Sequence, residues 1–222
     1  MIWEQLETWL DCHILTFGSN CQAFPWTAHR GAHNWFQATT DVVLKAFPEP
    51  GVLVRTPWWD MDVDGATKRA WRIPHSAKGI ILSACNETHP MLRYQGIRWE
   101  NARGKDWSGP GVPTDKLTPE QYSLEVLACV AKLRGWYGDI PVGIFLTDRS
   151  RIDRWPWLRP PLEALEAALL EAFPDAPSVR VRPEPDLLSP EGKPALYSHS
   201  SWDALLEVHD KITALMGVPY VA

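Results

Sequence analysis

The sequence predicts one α/β domain over residues 1–222, with a mixed central β-sheet and helices packed on it. Two short, nearly continuous apolar runs, Lys78–Ser83 and Ile140–Leu146, have the pattern of central strands covered on both faces. They alternate with segments of helical period at 31–47, 118–136 and 160–173. No Gly/Ser- or Pro-rich linker divides the chain, so its 222 residues favour one core over two.

The elements follow in order. Trp3, Leu6 and Leu10 recur at helical spacing and predict a short opening helix. Cys12–Phe17 reads as a strand closed by the turn residues Gly18, Ser19 and Asn20. Trp35, Thr39, Val42, Val43 and Ala46 share one face of a helix over 31–47, which Pro48 and Pro50 end. Gly51–Arg55 is a brief β-branched strand. After the first core strand, Asn86–Lys116 is a long irregular stretch whose Tyr94, Trp99 and Trp107 argue for an ordered flap. Thr118-Pro119-Glu120-Gln121 supplies an N-cap, a proline in the first turn and the glutamine of a capping box. Tyr122, Val126, Cys129, Val130 and Leu133 give that helix its buried stripe, and Gly135 and Gly138 mark its end. Ser178–Arg182 alternates as an edge strand with one wet face, and Trp202–Met216 forms a last helix stopped by Gly217.

Composition narrows the functional classes. Net charge is −5 and no Lys/Arg block occurs, which argues against sequence-independent nucleic-acid binding. The start has neither a basic n-region nor an apolar h-region, and no apolar run is long enough for a membrane span, so the expected setting is cytoplasmic. The four cysteines are widely spaced and form no C-x-x-C pair, which argues against a zinc ribbon or a disulfide scaffold. Tryptophan is enriched at 13 copies, enough to line a sugar- or peptide-binding groove as well as to fill a core.

Ala70-Trp71, Gly79-Ile80-Ile81-Leu82 and the helix start Thr118-Pro119-Glu120-Gln121 resemble zinc-dependent N-acetylmuramoyl-L-alanine amidases of the peptidoglycan-recognition type, over residues 70–160. The resemblance implies a scaffold without its metal. Thr16 and Thr147 stand where that family has zinc histidines, Arg72 replaces the histidine after Trp71, and Ile81 replaces a glutamate. Catalytic zinc needs three protein ligands and an open position, which neutral threonine hydroxyls do not provide. A non-catalytic binding relative is therefore implied, its ligand a cell-wall glycan or peptide fragment or another protein, with Arg72, Tyr94, Trp99 and Trp107 as contact residues.

Asp60, Asp62 and Asp64 alternate before Gly65, so in extended backbone their carboxylates share one face and suit Mg²⁺, Mn²⁺ or Ca²⁺. The twelfth position of a calcium loop is Trp71 rather than glutamate, which weakens that version, and a solvated acidic turn explains the same residues. His29 and His33 lie four apart, but Gly31 between them argues against a metal-binding helix face. His75 and His89 flank the first core strand, and His75 could replace a missing ligand by a register shift. Cys21 and Cys85 lack a signature tying them to a histidine, and Ser200 and Ser201 lack a G-x-S-x-G elbow. Three functions stay open: a binding protein on an amidase-like scaffold, a divalent-metal hydrolase or nuclease using the three aspartates with Arg72 assisting, and an acidic immunity or inhibitor protein.

Overall fold

The computed structural model describes residues 14–17, 35–36, 39–55, 70–101, 111–149, 156–182 and 202–218. Ten strands and four helices lie among them. In chain order they are β1 (Ile14–Phe17), β2 (Trp35–Phe36), α1 (Thr40–Ala46), β3 (Leu53–Arg55), β4 (Ala70–Arg72), β5 (Gly79–Leu82), β6 (Met91–Tyr94), β7 (Ile97–Asn101), β8 (Val112–Pro113), α2 (Pro119–Tyr137), β9 (Val142–Leu146), α3 (Arg159–Ala172), β10 (Ser178–Arg180) and α4 (Trp202–Leu215). The fold is α/β, with parallel pairing in a five-stranded sheet of order β10-β9-β5-β1-β2 and antiparallel pairing in the β3–β4 hairpin and the β7-β6-β8 sheet.

The two apolar runs occupy the centre of the parallel sheet because every residue of β5 and β9 is buried. Alternation sends Ile80, Leu82, Val142, Ile144 and Leu146 to one face, against Val42, Val43, Val126, Val130, Leu133, Leu162, Leu165 and Leu169 of α1, α2 and α3. Ile81 and Phe145 point the other way, onto Val208 and Ile212 of α4. Gly143 shares that second face: a β-carbon there would come within 2.5 Å of Ile212 and 2.6 Å of Met216, so the glycine is what lets α4 sit close. Among the described residues β10 pairs with β9 alone, the edge position its alternation predicts.

The capping box forms as the sequence requires. Gln121 N–H donates to Thr118 Oγ1 at 3.2 Å, and Thr118 N–H donates to Gln121 Oε1 at 3.0 Å. The helix runs through Gly135 and stops at Gly138, whose φ of 83° suits glycine.

Two expectations are corrected. The predicted helix over 31–47 begins only at Thr40, and Trp35–Phe36 is instead β2, paired in parallel with Thr16 and Phe17. Aromatic residues suit a pleated surface, and here strand pairing outweighs a helical spacing that was incidental. The supposedly irregular stretch 86–116 holds a 3₁₀ turn (Asn86–Thr88) and the three strands β6, β7 and β8. Gln95 and Gly96 both have positive φ, 50° and 79°, the backbone a tight two-residue hairpin turn needs. Their dipeptide lacks the Asn-Gly or Asp-Gly signature that would announce it.

Lys132 ties two helices together. Its ammonium donates to the carbonyls of Val43, Leu44 and Phe47 at 2.9, 2.8 and 2.6 Å, satisfying the last turn of α1, while lying 5.0 Å from the Trp136 ring centroid.

Candidate functional site

Counted in chain order, the five parallel strands run 2-1-3-4-5, an order whose winding direction reverses between β1 and β5. In open parallel sheets, ligands sit outside the carboxyl ends of the strands at such a reversal. The segments leaving β5 and β9 build that end here.

After β5 the chain passes Ser83, Ala84 and Cys85 into the Asn86–Thr88 turn. Glu87 N–H donates to Ala84 O at 3.1 Å, and Thr88 Oγ1 donates to Cys85 O at 2.7 Å, so the turn closes on itself. Tyr122 of α2 donates its hydroxyl to Ser83 O at 3.3 Å and holds the start of the turn. After β9, Thr147 N–H donates to Glu166 Oε1 of α3 at 2.8 Å. Arg180 of β10 joins the same carboxylate at 2.9 Å and donates to Thr147 O at 2.8 Å. The Thr147 main chain is thus fully engaged. Its side-chain hydroxyl, on a residue 2% exposed, has no hydrogen-bond partner among the described residues. A buried hydroxyl left unpaired is a destabilising feature, and such groups concentrate where a water or ligand completes them.

Behind the β5 turn lies a buried charge cluster. Arg98 of β7, 2% exposed, donates to Glu87 Oε2 at 3.2 Å and to Glu125 Oε1 of α2 at 2.5 Å. Its backbone N–H donates to Asp41 Oδ2 of α1 at 2.9 Å, and its carbonyl accepts from Thr39 Oγ1 at 2.5 Å. Thr40 Oγ1 also donates to Glu125 Oε1, and Lys45 pairs with Asp41 from solvent. Burial opposes the Arg98 charge, but Glu87, Glu125 and Asp41 outweigh it and hold the guanidinium above its ordinary value. Burial pushes the Glu87 carboxyl up to about 7; Arg98 opposes the shift, and the neighbouring Glu125 and Asp41 carboxylates add to it. Tyr122, wholly buried beside them, is raised by desolvation and then by the Glu87 and Glu125 charges.

The residues the sequence singles out are distributed differently. Trp99 lies in the main core at 6% exposure, its indole N–H donating to Tyr94 O at 3.2 Å, a placement that favours packing over contact with a partner. Tyr94 is half-buried against the same core. The backbone of Arg72 pairs with Leu53 in the β3–β4 hairpin. Trp107, Asp60, Asp62, Asp64, His29, His33, Cys21, Ser200 and Ser201 lie outside the described residues. Among the described residues, no group of three or more His, Cys, Asp or Glu side chains is arranged to hold a metal ion. Thr16 aligns through Ile81 with Gly143, four residues short of Thr147. At ~3.3 Å per residue that offset is about 13 Å along the strand, so the register does not bring the two threonines together. His75 is exposed and its ring packs on Gly51, where a β-carbon would come within 2.0 Å. Neither Cys85 nor Cys129 is in a disulfide, and burial raises the Cys129 thiol.

Sequence reasoning missed Asp41, Glu87, Arg98, Glu125, Glu166 and Arg180. One signal was present: Glu125 falls within the Tyr122, Val126, Cys129 stripe of α2, and a glutamate on an apolar helix face requires a buried partner. Comparison of the chain with protein-family models, with curated proteins and with solved structures found no match.

Proposed function

We propose that the protein binds a small polar ligand, a cell-wall glycan or peptide fragment in the first instance, at the carboxyl end of its parallel sheet. The floor of the site is the 83–88 turn and the Thr147–Asp148 step, and the β6–β7–β8 sheet stands beside it. The observation that carries this reading is the buried Thr147 hydroxyl, without a hydrogen-bond partner among the described residues, at the carboxyl end of β9, the strand next to β5, where the strand order reverses. Binding without zinc hydrolysis is the form we favour, because Thr16 and Thr147 lie in different register rows. The alternative of a divalent-cation site at Asp60, Asp62 and Asp64 rests on the sequence pattern alone.

The test is a Thr147→Val variant, which keeps the side-chain shape and removes the hydroxyl. Its unfolding free energy should match wild type or exceed it by about 1 kcal/mol, since no internal hydrogen bond is lost. Its affinity for soluble muropeptides, followed by amide chemical shifts at 83–88 and 147–148, should fall about tenfold. Shifts confined to other residues, or equal affinity in both proteins, would refute the assignment. Chelator-sensitive release of peptide from peptidoglycan would replace binding by hydrolysis.

A further inference from the structure

We propose that the Glu87–Arg98–Glu125–Asp41 cluster is a proton-operated clasp, which holds the β6–β7–β8 sheet against α1 and α2 while Glu87 is neutral and loosens when Glu87 ionises. The clasp shares Glu87 with the 83–88 turn proposed above as part of a binding floor, but it needs no ligand, because it concerns only how three pieces of the fold are fastened.

The geometry is that of a junction. Arg98 ties β7 to three other parts of the fold: its main chain is bound by Thr39 and Asp41 at the α1 start, and its guanidinium by Glu125 of α2 and Glu87 of the β5 turn. Three carboxylates converge on one buried cation. Lys45 neutralises part of Asp41 from the solvent side, so one negative charge remains in excess when all are ionised. The unequal distances show where a proton fits. Glu125 is bound tightly at 2.5 Å and also accepts from Thr40, whereas the Glu87 carboxylate stands off at 3.2 Å from Arg98, its one side-chain partner among the described residues. Two like charges this close to one cation cannot both be fully compensated, and the more deeply buried, less hydrogen-bonded carboxyl takes the proton.

Among the described residues, α2 and α3 turn no unpaired charge toward Glu87. Tyr122 from α2 is neutral, its ionisation made harder by burial. From α3, which also packs on the turn, the buried Glu166 is committed to Arg180 and Thr147 N–H. On the turn's own segment Cys85 and His89 are half-buried.

The direction follows from the folded-state value of about 7 against an ordinary 4.5. A carboxyl raised on folding binds its proton more tightly in the native state, so its contribution to stability is complete below about pH 4.5 and is lost as pH rises through about 7. The clasp is therefore closed in mild acid and weakened in mild base.

Hydrogen exchange tests it. Between pH 6 and pH 8.5, after correction for the intrinsic rate, protection of the Arg98 amide and its β6–β7 neighbours should drop at least about tenfold, with a midpoint near 7, while α3 amides keep theirs. In Glu87→Gln the drop should vanish, which separates Glu87 from His89. Unchanged protection in wild type, or a pH-dependent drop that persists in Glu87→Gln, overturns the proposal. Should the variant fail to fold, carbon-13 titration of the Glu87 carboxyl in wild type decides the matter, and a midpoint below about pH 5.5 overturns it.

Discussion

Replacing Arg98 by methionine should lower the unfolding free energy by about 3–5 kcal/mol at pH 8, the range for removing one member of a buried ion pair. The loss comes less from the attraction forfeited than from the carboxylates left behind. Glu87 and Glu125 would remain in a water-poor junction with no cation between them, and Asp41 would add to their repulsion. Protonation offers them an escape at lower pH. The variant should therefore recover part of its stability at pH 5.5, a difference that urea unfolding at the two pH values measures directly. A cost below about 1 kcal/mol at both would mean that water reaches the cluster and that Arg98 is replaceable.

Truncating Trp99 to alanine should cost about 3–5 kcal/mol in stability. The ring sits in the same apolar body as Leu92, Tyr122 and Val126, and its N–H spans the β6–β7 hairpin to Tyr94 O. Its removal empties a large volume and strips a partner from a carbonyl at once. Were Trp99 chiefly a contact for a partner, the variant would unfold like wild type and lose only binding, by about 2 kcal/mol. A melt of the purified variant separates the two before any ligand is in hand.

The strands and helices with strong local signals were legible because local chemistry and global packing agree there. β5 and β9 are apolar without alternation, as burial on two faces demands, and α2 announces both ends through Thr118, Gln121 and Gly138. Where the fold was misread, either the pairing partner was distant in sequence or the turn carried a weak signal. Nothing near Trp35 indicates that it lies beside Thr16 in a parallel sheet, and Tyr94-Gln95-Gly96-Ile97 has a glycine but not the Asn-Gly or Asp-Gly pair that marks such a turn. The site was harder still. Asp41, Glu87, Arg98 and Glu125 come from four separate elements, and all but Glu125, which sits in the apolar stripe of α2, look like ordinary surface charges in their own segments. Their meaning exists only after the hairpin folds onto α1 and α2, an event no spacing rule encodes. The aromatic residues that invited a binding role were weighed by type, and type does not distinguish a buried indole from an exposed one.

The pairing of β5 also bears on how the chain reaches this state. Its two neighbours come from either side of it along the chain, each about 60 residues away: Ile14 meets Gly79 on one side, and Ile80 meets Val142 on the other. Neither pairing can be rewarded until a long segment has closed into a loop, and that entropy must be spent ahead of any hydrogen bond. α2, whose capping box is set within four consecutive residues, carries no such burden. The middle strand of the molecule is thus the last place where local order helps and the first where slow, long-range search governs, so refolding should be limited by the arrival of β1 and β9 at β5 rather than by helix formation.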